Sequence, residues 1–120
     1  MGEPKRGKIY DYENVTLVRV IDGDTVELDI DQGNHQHWVD KFRLAGIDAA
    51  ESRGKTKTAG DAATAFLRKL LADNITTVRT HKPDKYGRWL VQIWTDRAES
   101  VNQRMLTEGH AVPYDGGAKS

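Results

Sequence analysis

The sequence contains no cysteine, which excludes disulfides and thiolate metal sites and leaves the redox compartment open. A bound metal would have to be held by oxygen or imidazole. No apolar run is long enough to cross a membrane, and the opening stretch MGEPKRGKIYDYENV lacks the hydrophobic centre of a signal peptide. The expectation is a protein with no membrane partner, intracellular and cytoplasmic as written, with secretion behind a removed leader as the other course. There is also no repeat, low-complexity tract or interior linker. A chain of 120 residues can then build one core without staples, most simply as a monomer.

Net charge is missing too, since 18 basic and 18 acidic residues cancel. Their distribution is uneven. Between Asp22 and Glu51 eight acids face only Lys41 and Arg43, whereas nine bases between Arg53 and Arg88 face three acids. A zero total can therefore hide an acidic site for a cation beside a basic surface for phosphate, although charges from different segments can also interleave in space and cancel.

Hydrophobic spacing sets the coarse organisation. Val15 to Ile21 is rich in β-branched residues, and Val26, Leu28 and Ile30 alternate with acids, as a half-buried strand requires. Asp22-Gly23 between them predicts a hairpin turn. Beyond a polar loop, Trp38 to Ile47 reads as a third strand with Trp38, Phe42 and Leu44 on one side and Arg43 on the other. The period then changes. Ala59, Ala62, Ala63, Phe66, Leu67, Leu70 and Leu71 form the stripe of an amphipathic helix over about Thr58 to Ala72.

Ile75 to Thr80 and Trp89 to Thr95 predict two more strands around the turn-rich HKPDKYGR, and Ser100 with Gln103 predicts a capped helix through Glu108, closed at Gly109. Residues 1–14 read as an N-terminal extension, 15–114 as the domain and 115–120 as a flexible tail. Three strands, a helix, two strands and a helix give an α+β, β-dominated fold, a five-stranded OB-type Greek-key barrel with two helices.

Three segments carry polar residues that the elements do not need. In IDGDT, Asp24 opens a strand, where Asp is disfavoured unless it meets water or a cation. In FRLAGIDAAE, Arg43 is followed by Asp48 and Glu51 just past the strand, where a loop can present oxygens to the same cation. In DKYGR, Lys85, Tyr86 and Arg88 surround a glycine, and arginine suits phosphate because its planar fork donates two parallel bonds. Each taken alone is also compatible with a turn, a charged loop or a polar hairpin.

IDGDTVEL, FRLAGIDAAE and DKYGRWL together resemble the three signature segments of staphylococcal nuclease-like (thermonuclease) domains, and VNQRMLTEGHA resembles the family's next helix. The resemblance runs from about Val15 to Tyr114. It implies one Ca2+ at the barrel rim, held by Asp24, Asp48 and the backbone carbonyl of Ala49, with Asp22 orienting metal-bound water. Ala49 stands where the family has threonine, and Ala50 where it usually has proline.

The resemblance further implies Glu51 as general base, Arg43 and Arg88 as stabilisers of the transition state, and Lys85, Tyr86 and Tyr114 as substrate contacts. The implied reaction is hydrolysis of DNA and RNA, preferably single-stranded, with little sequence specificity, breaking the 5′ P–O bond and leaving 3′-phosphates. The alternative is a non-catalytic OB module that binds nucleic acid or protein.

His35 and His37 form an HxH pair with no third ligand nearby and read as a solvated loop. Trp38, Trp89 and Trp94 lie in strand patterns and read as packing residues rather than base-stacking ones.

Overall fold

A computed structural model of the chain describes residues 9–49, 57–81, 83 and 87–114. Its elements in chain order are β1 (Tyr10–Tyr12), β2 (Val15–Asp22), β3 (Thr25–Gly33), β4 (Gln36–Leu44), β5 (Ile47–Ala49), α1 (Lys57–Leu70), β6 (Thr77–His81), β7 (Trp89–Trp94), α2 (Val101–Thr107) and β8 (Ala111–Pro113).

Six strands form one sheet in the order β1-β6-β7-β4-β3-β2, and β5 pairs with β8. The two edge strands of the sheet, β1 and β2, are separated in the chain by Glu13 and Asn14 alone. A flat six-stranded sheet would hold its edges far apart, so the sheet must curl until they meet. Asn14 sits at that corner, its carbonyl accepting from Asp31 N–H at 2.9 Å and continuing the β2–β3 ladder. Curling, the parallel β4–β7 pair and otherwise antiparallel neighbours make this an OB-type barrel.

The expectation of five strands differs in count, for physical reasons. β1 and β2 are two arms of one bent stretch at the barrel corner. β4 ends at Leu44 because Gly46 turns the chain at φ +80°, and Ile47–Ala49 restarts as the separate β5. β1 also falls ahead of Val15, pairing Tyr10–Tyr12 with Val78–Thr80.

The barrel interior follows the alternation in the sequence. Val26, Leu28 and Ile30 of β3 are fully buried with Phe42, Leu44, Val78, Val91 and Ile93. Trp38 packs edge-on against Phe42 at 5.0 Å and Trp89 at 5.1 Å between centroids, so these rings serve packing.

Helix α1 closes one side, but its buried stripe is rotated from the expected one. Gly60, Ala63, Thr64, Leu67 and Leu70 face inward, while Ala59 and Ala62 are exposed. Thr64 is tolerated in the stripe because its hydroxyl donates to Gly60 O at 2.9 Å. Helix α2 starts as expected: Ser100 Oγ accepts from Gln103 N–H at 3.0 Å. Gly109, at φ +80°, ends it, with Gly109 N–H on Leu106 O and His110 N–H on Met105 O.

The β2–β3 turn consists of Gly23 and Asp24, one residue later than Asp22-Gly23. Gly23 is needed there for space. A Cβ at this position would lie 2.8 Å from Ala63 Cβ and 2.9 Å from Ala49 Cβ, so the turn, α1 and β5 converge on a point with no room for a methyl group. Gly23→Ala is expected to cost about 1–3 kcal/mol by overpacking, read by urea unfolding; an unchanged midpoint would show that the contact yields freely.

Candidate active site

Asp24, Arg43 and Asp48 come from three different segments and meet at one end of the barrel. Asp24 lies in the β2–β3 turn, Arg43 one residue before the end of β4, and Asp48 at the centre of β5. The turn of Ala45 and Gly46 folds β5 back over the end of β4. Here both faces of β4 are covered: Phe42, Arg43 and Leu44 are all buried, with Arg43 only 6% exposed. The expectation that Arg43 points away from the core holds for direction, but its face is roofed by β5 instead of solvated.

A buried guanidinium must find acceptors for its donors. Arg43 Nη1 donates to Ile47 O at 2.8 Å, and Nη2 donates to Asp24 Oδ2 at 3.2 Å and Asp48 Oδ1 at 2.9 Å. These bonds use three of the five N–H donors of the group. The Tyr114 ring lies under the same guanidinium, 5.1 Å from its carbon to the ring centroid.

Asp24 is held as tightly and is 8% exposed. Its Oδ2 accepts from Ala49 N–H at 3.0 Å and its Oδ1 from Thr25 Oγ1 at 3.1 Å. Its own N–H donates to Asp22 Oδ1 at 3.1 Å, and its carbonyl accepts from Leu44 N–H at 2.8 Å. Burial pushes the Asp24 carboxyl up to about 6, reinforced by the neighbouring Asp22 and opposed by Ala49 N–H and Arg43.

The site is thus rich in carboxylate oxygens that share one guanidinium, and such hard donors suit a divalent cation with oxygen preference. Among the described residues no group of three or more His, Cys, Asp or Glu side chains is placed to hold a metal. Two carboxylates, Asp24 and Asp48, reach a single nitrogen and so can reach a single cation. Further ligands would come from backbone carbonyl, water or phosphate.

The structure therefore brings together Asp22, Asp24, Arg43, Asp48, Ala49 and Tyr114. Arg88 stands directly before β7, two residues ahead of Leu90, the register partner of Arg43. Glu51, Lys85 and Tyr86 lie outside the described residues. Sequence reasoning passed over Thr25, which bonds Asp24 directly; its place beside Asp24 in IDGDT was the available signal.

His35 and His37 do not converge. His35 takes φ +63° in the turn after β3, whereas His37 Nδ1 meets Asp29 Oδ1 at 2.7 Å.

These features define an OB-type barrel with an arginine–carboxylate cluster roofed at its rim. Residues 41–119 match the family described as staphylococcal nuclease homologue. The chain is 35% identical over 99 residues to an Escherichia coli O157:H7 protein named "Uncharacterized endonuclease", covering 82% of this chain and 60% of that protein. It is 32% identical over 104 residues to the thermonuclease of Staphylococcus intermedius, covering 82% and 58%. It is 30% identical over 115 residues to Endonuclease YhcR of Bacillus subtilis (strain 168), covering 87% of this chain and 9% of that protein. The chain belongs to the staphylococcal nuclease family and spans less than two thirds of the length of each of these relatives. No helix among the described residues is long and apolar enough to cross a membrane.

Two outcomes test this geometry. Arg43→Ala leaves Asp24 and Asp48 without their shared cation and is expected to cost about 3 kcal/mol in denaturant unfolding with EDTA present; a cost under about 1 kcal/mol would show that the cluster is not a buried ion pair. Asp29, by its hydrogen bond and charge, raises the His37 pKa above its ordinary 6.5. An NMR titration should find it there and find it lowered in Asp29→Asn, while equal values in both proteins would exclude the pair in solution.

Proposed function

We propose that this chain is a calcium-dependent phosphodiesterase that hydrolyses DNA and RNA, preferably single-stranded, with little sequence specificity. The observation that carries the reading is the Arg43 guanidinium bonded at once to Asp24 and Asp48 under the β5 roof. Two carboxylates on one guanidinium, with Asp22 beside Asp24, set hard oxygens next to an arginine, which suits a cation and a phosphate at adjacent positions.

Asp24, Asp48 and the Ala49 backbone carbonyl would hold one Ca2+, with Asp22 orienting water around it. When bound, the ion supplies Lewis acidity and a template for the phosphate oxygens. The chain's own residues do the rest. Glu51 accepts a proton from the attacking water, whose oxygen forms the new bond to phosphorus. The 5′ P–O bond breaks in line, leaving a 3′-phosphate and a 5′-hydroxyl that takes a proton.

Arg43, with two N–H donors beyond those already bonded, and Arg88 hold the phosphate and bind more strongly as charge accumulates on its oxygens. Lys85, Tyr86 and Tyr114 bind the nucleotide. The ring of Tyr114 beneath Arg43 supports its part in this, since it stands at the edge of the same cluster. The protein acts as a monomer without a membrane partner, intracellular in the cytoplasm.

Single-stranded and plasmid DNA and RNA are incubated with Ca2+ or EDTA, using wild type, Glu51→Gln and Arg43→Ala. Cleavage is expected with Ca2+ only, falling about 10²-fold or more in either variant, with 3′-phosphate ends. Cleavage in EDTA, full activity in both variants, or 5′-phosphate ends would each overturn the mechanism. Binding of nucleic acid without cleavage by the wild type would favour a non-catalytic module.

A further inference from the structure

Asn102 stands on α2, bonded to the first residue of the β4–β5 turn, and is 4% exposed. It shares that helix's buried face with Val101 and Met105. An apolar side chain would fill this position without burying an amide, so its polar groups need an account.

Three of its four hydrogen-bonding positions are used, both N–H donors among them. Oδ1 accepts from Ile93 N–H at 3.1 Å, and Nδ2 donates to Ala45 O and Val91 O, both at 2.9 Å. Val91 O also accepts from Ala45 N–H at 2.8 Å. One carboxamide therefore ties α2 to β7 and to the first residue of the β4–β5 turn.

That turn is unusual in where its carbonyls go. Ala45 O is taken by Asn102, Gly46 O by Tyr114 N–H at 2.9 Å, and Ile47 O by Arg43 Nη1 at 2.8 Å. Three consecutive carbonyls thus anchor to α2, to the residue after β8, and to the cluster itself. Gly46 at φ +80° gives the turn little stiffness of its own. Its position is set from outside, and only the Asn102 bond comes from a side chain not otherwise part of the cluster. Any shift at Ala45 passes within two and three residues to the Ile47 carbonyl and the Asp48 carboxylate that hold Arg43.

We propose that Asn102 is a positioning residue for the Arg43–Asp24–Asp48 cluster, fixing the Ala45–Gly46 turn so that Ile47 and Asp48 meet the guanidinium in the reactive arrangement. Its kinetic consequence rests on the nuclease reading; its structural consequence does not.

The test compares Asn102→Ala with Met105→Ala, an equally buried truncation on the same helix, each assayed well below its own unfolding midpoint. Asn102→Ala is expected to lower kcat about 10–100-fold with KM for DNA little changed, and to speed hydrogen exchange of the Arg43 Nη–H signals, the ones bonded to Ile47 and Asp48, in NMR. Met105→Ala is expected to lower Tm yet keep both kcat and the Arg43 signal. Equal losses in the two variants, or an unaltered Arg43 signal in Asn102→Ala, would overturn the proposal by making Asn102 an ordinary core residue.

Should Asn102→Ala not fold, Asn102→Ser carries the same comparison, since its hydroxyl is too short to span to Ala45. If the wild type cleaves nothing, the nuclease reading fails on its own and the Arg43 signal alone decides the positioning role.

Discussion

The Arg43 guanidinium has been taken out of water, and the arrangement of the barrel rim follows from how that loss is made good. An isolated buried cation costs several kcal/mol, and here the compensation comes from three sources. Asp24 is supplied by the β2–β3 turn, Asp48 by β5, and a carbonyl by Ile47. Because these acceptors sit on separate segments, satisfying one side chain fixes the β2–β3 hairpin against the segment that follows β4. Asp24 and Asp48 share one guanidinium, Asp22 accepts from the Asp24 N–H, and the Asp24 carboxyl is pushed up to about 6 chiefly by its burial.

The rest of the fold brings these segments close enough to do this. Gly23 lets the turn pass against Ala63 of α1 and Ala49 of β5 with no methyl between them. Ala49 N–H then reaches Asp24 Oδ2, and Leu44 N–H reaches Asp24 O. On the other side, β8 pairs Val112 with Asp48, holding the short β5 strand from outside. Small residues at the convergence and backbone bonds around it thus add to the hold that the charged groups exert on these segments.

Much of this was legible in the sequence, where residue type and spacing carry the information. The alternation of Val26, Leu28 and Ile30 located β3 and its buried face, and Ser100, Gln103 and Gly109 marked both ends of α2. The cluster's members were legible through the resemblance of IDGDT and FRLAGIDAAE to the family's segments, since each alone also fits a turn or a charged loop. What was not legible came from contacts between distant segments. The burial of Arg43 depends on β5 folding over it, the rotation of α1 on how Gly60 and Thr64 meet the barrel, and the barrel corner on two residues between its edge strands. None of these leaves a periodic trace. Asn102 is the extreme instance: in VNQRMLT it is one polar residue among several, and only its three bonds set it apart.

The central claim is that Arg43 and the two carboxylates act as one coupled unit. A double-mutant cycle on Arg43→Ala and Asp24→Ala, read by denaturant unfolding in EDTA, measures that coupling most directly. A coupling energy of about 1.5–3 kcal/mol is expected, the upper part of the range for residues in one hydrogen-bonded network. A value below about 0.5 kcal/mol, the scatter found for independent sites, would contradict it.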